Sequence, residues 1–263
     1  MPDTVFHFSQ GNGPLLVSMP HVGTNLPPEI LAKLTENGRK VKDTDWHLDK
    51  LYNFLADRGV SILMAHNSRT VIDLNRDADG KLLYPGQNET ELCPTTSFDN
   101  QPLYQEGLAP DQAEILRRKD IYWQPYHDKI SRELDRIKAQ FGHALLWDAH
   151  SIQSHVPRFF DGALTALNLG TGNGIACAAE IEKKLFAIAK ESDYSAVLNG
   201  RFKGGYITRH YGNPARNIHA FQLEISQITY MDEEPTFAFQ EDRANKLRPT
   251  LKKMIEGFRV RPH

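Results

Sequence analysis

The chain has 263 residues, of which 40% are hydrophobic and 24% are charged. This is enough for one large α/β domain with a substantial core, and the proportions exclude a disordered polypeptide. The formal net charge of −2 excludes a general attraction to nucleic acid or to an anionic membrane surface, so an acidic small-molecule partner would have to be bound by local arginines.

Segments of strand length alternate with longer, helix-like segments along the chain. We predict strands at Leu15–Met19, Val60–Ala65, Thr70–Leu74, Ala144–Trp147, Leu164–Leu169 and Ala220–Ile225. We predict helices at Thr44–Leu55, Asp111–Gln140, Gly174–Lys190 and Phe239–Phe258, with Pro125 kinking or splitting the second and Pro249 interrupting the fourth. Alternation of this kind predicts an α/β fold with three layers, α/β/α, around a mostly parallel or mixed central sheet.

The segment Gly80–Pro110 differs from the rest of the chain. It is rich in Gly, Pro, Asn and Thr and has few periodic apolar positions. We interpret it as a loop-rich insertion near 80–110 within a single domain that spans residues 1–263. Long loops in compact domains are often functional.

The N-terminal sequence, the apolar segments and the two cysteines together indicate a cytoplasmic protein. The N-terminus lacks a basic segment followed by an apolar one, and no apolar stretch approaches the ~20 residues of a membrane span. Cys93 and Cys177 have no metal-ligand spacing, so we expect two free thiols in a reducing compartment. The partner we expect is a small molecule, with neither nucleic acid nor membrane involved.

Polar side chains lie at or just beyond the ends of the predicted strands. They are His21, Asn75, Arg76, Asp148, His150 and Glu224. In open α/β sheets, ligands bind at the carboxyl ends of the strands. We therefore expect these side chains to converge, although they are distant in sequence.

The histidines among them are candidate metal ligands. His21 alone could equally cap a helix or bond to a loop carbonyl, whereas His150 stands in D-x-H-S, where Asp148 could orient the ring. A catalytic zinc site usually has three protein ligands and keeps one position for water. Asp45 and His47 both qualify as the third ligand. They lie two positions apart, so on a helix their side chains would point roughly 200° apart, at different edges of the apolar face. Helical geometry therefore does not choose between them.

The arginines and one glutamate could complete an active site. Arg69, Arg76 and Arg209 carry the planar fork that pairs with carboxylates, although Arg76 could instead form a structural ion pair with Asp73. Glu224 lies in an alternating segment that an ordinary half-exposed strand would also give. A carboxylate beside zinc-bound water is nevertheless what amide hydrolysis requires.

The glycines around Arg209 predict a mobile segment. Gly204 and Gly205 precede this arginine and Gly212 follows it. A flexible segment that carries an arginine suits a loop that closes over a substrate.

These motifs give the chain a resemblance to the N-formylglutamate amidohydrolases, or deformylases. The matching segments occur in the same order between Val17 and Glu233, and they are VSMPHVGTNLPPEI, DTDWHLDKLY, NSRTVIDLNRD, WDAHSI and GGYITRHYGNPARNIHAFQLEISQITYMDE. That family is in turn similar to zinc carboxypeptidases and aspartoacylases. The resemblance therefore implies a zinc-carboxypeptidase-like α/β fold and a metal held by two histidines and a carboxylate.

Carried over by position, the resemblance implies a role for each motif. His21 and His150 match the two histidine ligands. Asn75 and Arg76 match the pair that binds a substrate carboxylate, and Glu224 matches the general base.

One position departs from the pattern of the relatives. They place the acidic ligand three residues after the first histidine, where this chain has Thr24. We choose Asp45 as the acidic ligand because the family segment centres on it, with His47 or Asp49 as alternatives.

The resemblance implies hydrolysis of N-formyl-L-glutamate to formate and L-glutamate, a reaction of histidine degradation, with Zn²⁺ or another divalent transition metal as cofactor. Arg69, Arg76 and Arg209 are candidates for the two substrate carboxylates. One alternative is deacylation of another N-acyl acidic amino acid such as N-acetylaspartate. The other is a non-catalytic protein that binds acidic metabolites.

Overall fold

A mixed sheet of seven strands forms the centre of the computed structural model, which describes residues 4–56, 58–81 and 88–259. The strands are β1 (Phe6–Ser9), β2 (Leu15–Met19), β3 (Ser61–Ala65), β4 (Ala144–Ile152), β5 (Leu167–Gly170), β6 (Ala196–Leu198) and β7 (Ile218–Ser226), in the spatial order β1-β3-β2-β4-β7-β5-β6. Strands β3, β2, β4 and β7 are parallel, whereas β1 and β5 are antiparallel to their neighbours β3 and β7. The prediction of an α/β fold with a mixed sheet is confirmed.

Helices cover both faces of this sheet. They are α1 (Pro28–Leu31), α2 (Glu36–Arg39), α3 (Leu48–Leu51), α4 (Gln112–Arg118), α5 (Gln124–Phe141), α6 (Ala179–Lys190), α7 (Tyr206–Tyr211) and α8 (Glu241–Arg259), with 3₁₀ turns at Asn53–Leu55, Pro214–Arg216 and Gln227–Thr229. Alternate residues of β2 enter different cores: Leu15 and Val17 pack in the cluster that includes residues of α3, α6 and α8, and Leu16 packs in the cluster that includes residues of α5. The sheet is therefore the middle of three layers.

The long predicted helix is continuous but irregular. A π-helical turn, Lys119–Trp123, joins α4 to α5, and Pro125 lies in the first turn of α5. Proline has no N–H to donate inside a continuous helix, and the irregular π-helical turn lies directly before it. In α8, by contrast, Pro249 lies inside one uninterrupted helix, and the expected break does not occur.

Two predicted elements near the site are wrong. Thr70–Leu74 is a buried turn rather than a strand: Asp73 N–H donates to Leu92 O at 2.7 Å and Val71 O accepts from Arg118 Nη1 at 2.9 Å. A loop and a side chain thus satisfy backbone groups that a strand would pair with a neighbour. The helix predicted at Thr44–Leu55 begins only at Leu48, because His47 adopts a left-handed conformation with φ 60°.

The predicted loop-rich insertion overlaps residues 82–87, which lie outside the described residues. Within 88–110, the described backbone forms no helix or strand and makes isolated bridges such as Thr96 with Pro102 and Tyr104 with Leu34. The single-domain organisation stays a prediction. Both cysteines are buried free thiols, as expected, and none of the described helices has the length and apolar character needed to cross a bilayer.

Candidate metal centre and active site

Three distant segments bring two histidines and one carboxylate together. His21 follows the end of β2, His150 lies near the carboxyl end of β4, and Asp45 lies in the turn before α3. All three are buried, and their candidate ligand atoms lie within 4.8 Å of one another. Oδ2 of Asp45 lies 3.7 Å from Nδ1 of His21 and 3.0 Å from Nδ1 of His150, so both rings present Nδ1 to the same point.

The other nitrogen of each ring faces a second carboxylate. Nε2 of His21 lies 2.7 Å from Oδ1 of Asp73, and Nε2 of His150 lies 3.2 Å from Oδ1 of Asp148. Histidines that bind metal commonly donate their other N–H to a carboxylate, which fixes the tautomer and the ring orientation. The chemistry of these donors therefore fits a catalytic zinc site with two nitrogens and one oxygen.

The charges around the histidines favour a cation. Burial alone would lower the pKa of His150, but the carboxylates of Asp148 and Asp45 raise it well above its usual value. Burial, assisted by the Arg69 guanidinium, lowers the pKa of His21. Burial would raise the pKa of Asp73, yet Arg69 and His21 hold it well below its usual range, so this acid is ionised.

Of the alternatives for the acidic position, Asp45 is the residue that meets the histidines. Its backbone N–H donates to the carbonyl of His21 at 3.0 Å, which ties the two segments together. His47 points elsewhere, with Nε2 2.7 Å from Phe237 O, and Asp49 is exposed. The early part of the predicted helix is a turn, and this turn carries Asp45 to the histidines.

Glu224 lies beside His150 because the two residues are paired in the register of the parallel strands β4 and β7. All nine residues of β7 are buried, so the alternative of an ordinary half-exposed strand is excluded. Burial raises the pKa of Glu224 above its usual value, with His150 opposing the shift. A carboxylate with a raised pKa is suited to accept and return a proton near neutral pH.

One cavity of about 590 Å³, which includes open solvent at its mouth, is lined by His21, Asp45, His150 and Glu224. The cavity walls also carry three arginines, Arg69, Arg76 and Arg201, and three aromatic residues, Phe98, Phe159 and Phe202. Cationic walls beside a candidate metal centre suit a small anionic ligand.

Two of the predicted arginines occupy fixed positions in the cavity. Arg69 forms an ion pair with Asp73 at 2.5 Å, and its guanidinium lies 4.8 Å from the centroid of Phe98. Nε of Arg76 donates to Thr90 O at 3.1 Å. Asp73 thus forms its ion pair with Arg69, four residues before it, and the described contacts include no ion pair between Asp73 and Arg76.

Asn75 lines the cavity and is held on several sides. Its backbone N–H donates to Oδ1 of Asp73 at 2.8 Å, its Oδ1 accepts from Ile207 N–H at 2.8 Å, and its Nδ2 lies 3.0 Å from Nε2 of His150. A Cβ at Gly205 would lie 2.2 Å from Asn75 Nδ2. Glycine at 205 therefore leaves the space that this amide occupies.

Arg209 lies on α7, so the mobile loop expected around it is a helix instead. Its Nε donates to Gly204 O at 2.7 Å, and its side chain does not contribute to the described cavity walls. A role for Arg209 in substrate binding stays a prediction.

Sequence reasoning missed Asp73 as a partner of His21, and it missed Arg201 altogether. Arg201 follows β6, which runs parallel to β5 and therefore opposite to β7 and β4. The rule that ligands lie at the carboxyl ends of parallel strands does not reach this residue. Asp73 is distant in sequence from both histidines, so no spacing identifies it as the partner of His21. The only signal is the general one that metal-bound histidines commonly face a carboxylate.

Comparison with known proteins identifies the family of the chain. The sequence profile of the N-formylglutamate amidohydrolase family matches residues 13–231. The chain is 51% identical over 257 residues to N-formylglutamate deformylases of Pseudomonas aeruginosa and Pseudomonas putida, covering 97% of this chain and 96% of each relative. The crystal structure of N-formylglutamate amidohydrolase from Ralstonia eutropha JMP134 has a similar fold, with a TM-score of 0.80 at 24% identity over 96% of this chain and 97% of that one.

Proposed function

Because the chain belongs to the N-formylglutamate amidohydrolase family, we propose that it hydrolyses N-formyl-L-glutamate to formate and L-glutamate, as a metal-dependent amidohydrolase of histidine degradation in the cytoplasm. The observation that carries the proposal is the buried group of His21, Asp45 and His150 next to Glu224 in one arginine-lined cavity. The reaction breaks the C–N bond of the formyl amide and joins the oxygen of water to the formyl carbon.

His21, Asp45 and His150 would hold Zn²⁺ or another divalent transition metal. Such an ion, when bound, supplies Lewis acidity that polarises a carbonyl and makes water more acidic. Asp73 orients the imidazole of His21 through its Nε2 atom. Nε2 of His150 lies between Asp148 Oδ1, at 3.2 Å, and Asn75 Nδ2, at 3.0 Å. The protein thereby contributes a preorganised set of three donor atoms.

Glu224 acts as the general base and then as the general acid. Its carboxylate takes a proton from the attacking water and returns it to the leaving nitrogen, which departs as the amino group of glutamate. The burial that raises its pKa makes it a better proton acceptor than an exposed glutamate. Arg69 lines the cavity near the reaction centre and stabilises the negative charge that develops on the formyl oxygen.

Asn75 and Arg76 bind one substrate carboxylate. Both line the cavity, and Arg76 is oriented by Thr90 O at 3.1 Å and Thr90 Oγ1 at 3.2 Å. An oriented guanidinium pairs with a carboxylate through two parallel hydrogen bonds.

The test is formate release from N-formyl-L-glutamate, measured on the purified protein, after chelation, and after Zn²⁺ is restored. We expect activity that chelation removes and Zn²⁺ returns. N-acetyl-L-aspartate in parallel reports the competing deacylase activity. Formate release that persists in metal-free protein would contradict the metal dependence, and preference for the acetylated substrate would contradict the choice of acyl group.

A further inference from the structure

The acidic member of the proposed metal centre, Asp45, lies in a turn rather than in a helix or strand. Among the described hydrogen bonds and ion pairs, its carboxylate meets the rings of His21 and His150. Val41 and His47, near the two ends of this turn, have positive φ values of 43° and 60°. Residues other than glycine rarely adopt this conformation, and β-branched residues least of all, so it persists only where surrounding groups hold it. The position of Asp45 therefore depends on bonds from outside the turn.

Two side chains from the segment after β7 supply such bonds. The hydroxyl of Tyr230 donates to Trp46 O at 2.7 Å, and Nε2 of Gln227 donates to Thr44 O at 3.0 Å. Tyr230 is 0% exposed and Gln227 is 1% exposed, so water does not compete for these bonds. Because the two carbonyls belong to the residues on either side of Asp45, the backbone is fixed both before and after the acidic residue.

The same two side chains also contact strand β4 beside the second histidine. Ser151 directly follows His150, and its Oγ lies 2.7 Å from the hydroxyl of Tyr230 and 3.3 Å from Nε2 of Gln227. One buried polar cluster thus joins the turn that carries Asp45 to the strand that carries His150. A metal centre requires its donor atoms at fixed separations, and this cluster connects the backbones of two of the three donors.

We propose that Tyr230 and Gln227 are positioning residues of the metal centre, which hold the carboxylate of Asp45 where it can bind the same ion as His150. Neither side chain lines the described cavity, so both act through the turn. A donor that is not held in advance must be ordered when the ion binds, and this weakens binding. The inference rests on the metal centre of the proposed function, but it does not depend on the identity of the substrate.

The test begins with Tyr230→Phe, which removes the hydroxyl and keeps the ring in the core. We expect the dissociation constant for Zn²⁺ to rise by about 10-fold, the lower end of the range for groups that orient metal ligands. The visible absorption of the Co²⁺ form should also change, because it depends on the geometry of the donors. Gln227→Met, which keeps the length without the amide, should weaken Zn²⁺ binding in the same direction, and it decides alone if Tyr230→Phe does not fold. Competition with a chromogenic chelator measures the affinities.

Tyr52→Phe is the matched control. Tyr52 is buried in the same apolar cluster as Tyr230, and its hydroxyl accepts from Trp147 Nε1 at 3.2 Å, with no described bond to the turn of Asp45. We expect both tyrosine variants to lower the melting temperature of the metal-free protein, since each loses a buried hydrogen bond. Only Tyr230→Phe should weaken Zn²⁺ binding and alter the Co²⁺ spectrum. Equal weakening in both would indicate general destabilisation and would overturn the proposal.

Formate release from N-formyl-L-glutamate, measured on the same preparations, separates this inference from the proposed function. Wild type that binds Zn²⁺ but releases no formate would contradict the proposed reaction, and the Zn²⁺ affinities would still decide about Tyr230 and Gln227. Wild type that binds no Zn²⁺ would overturn both. Wild-type Zn²⁺ affinity in Tyr230→Phe and Gln227→Met, together with full formate release by wild type, would overturn this inference alone.

Discussion

Among the individual residues, Glu224 has the clearest chemical assignment to test. It is 7% exposed, and it is paired in the sheet with His150 but is outside the three-residue metal group. We expect Glu224→Gln to bind metal with unchanged stoichiometry and to lose about 10²- to 10⁴-fold in kcat, the usual range for a missing general acid–base group. Formate release and metal content, measured on the same preparation, check this.

Glu233→Gln provides the matched control. Glu233 accepts hydrogen bonds from Ser154 and does not line the cavity, so its loss should leave kcat within a fewfold of wild type. A Glu224→Gln protein that carries metal and turns over at the wild-type rate would exclude Glu224 as the base.

Asp73 offers a second test at this scale, because it touches a proposed ligand without being one. Asp73→Asn keeps the shape but removes the charge that faces Nε2 of His21 at 2.7 Å. We expect metal affinity to fall by about 10- to 100-fold, as for other carboxylates that orient metal-bound histidines. Competition with a chromogenic chelator measures it.

For comparison, Asp77→Asn removes a nearby carboxylate for which no ion pair with His21 is present among the described contacts. Its metal affinity should match wild type. If Asp73→Asn also matched wild type, the orienting role of Asp73 would be excluded.

The sequence anticipates that certain single residues lie close together in the fold. His21, His150 and Glu224 could be named because each stands in or just after an apolar segment, where a parallel sheet collects ligands. Asp45 could be chosen from the family segment, but helical geometry alone left His47 equal to it. The structure separates them through the left-handed turn at His47, a conformation that the residue type does not predict.

At the scale of elements, a buried histidine joins α5 to α7 and to the turn before Asn75. His127 is 3% exposed and stacks on Trp123 at 3.7 Å. Its Nε2 lies 2.9 Å from Leu74 O and its Nδ1 lies 3.0 Å from the hydroxyl of Tyr211. Burial lowers the pKa of His127 to about 3, although the bond to the Leu74 carbonyl opposes this shift.

We therefore expect a pH-dependent contribution to stability. Above the unfolded-state pKa of about 6.5 the ring is neutral in both states. As the pH falls below that value, His127 is protonated in the unfolded chain but stays neutral in the folded protein down to about pH 3. The unfolded state then binds more protons, so the free energy of unfolding decreases. Between pH 7.5 and pH 5, the free energy of unfolding of wild type should fall by about 2 kcal/mol more than that of His127→Gln. Urea denaturation at both pH values measures this difference.

His155→Gln, which replaces an exposed histidine, controls for the removal of a titratable group. This variant keeps the His127 ring, so the fall in stability that His127 causes should remain. Parallel pH dependence of wild type and His127→Gln would mean that His127 is not held neutral in the folded protein.

Predicted strand bounds agree with the structure where the strand is apolar throughout and differ where it contains buried polar residues. Leu15–Met19 was predicted with the observed bounds because a strand buried on both faces is a continuous apolar run. β4 extends to Ile152, past the predicted end at Trp147. Its polar residues have partners inside the fold: Oδ2 of Asp148 accepts from Thr208 Oγ1 at 3.1 Å, and Nδ1 of His150 lies 3.0 Å from Oδ2 of Asp45. A hydrophobicity pattern detects apolar strand residues, but it does not detect polar residues that are buried together with hydrogen-bond partners.

For the molecule as a whole, the proposed metal ligands come from positions 21, 45 and 150, which only the folded chain brings together. A metal ion should therefore bind the native state far better than the unfolded chain and stabilise it by mass action. At a free metal concentration about 1,000-fold above the dissociation constant, the expected gain is about 4 kcal/mol. Thermal unfolding with Zn²⁺ and with chelator measures the shift in melting temperature.

Two variants separate this stabilisation from a general effect of zinc on the protein. Asp45→Asn removes the charged donor, so its melting temperature should respond much less to Zn²⁺ than that of wild type. Glu224→Gln keeps all three donors and should retain the full response, although it lacks the base. The two responses to Zn²⁺ thus distinguish the cavity residues that bind the metal from the residue that transfers the proton. A zinc response that survived intact in Asp45→Asn would show that metal binds elsewhere and would remove the physical basis for a centre formed by His21, Asp45 and His150.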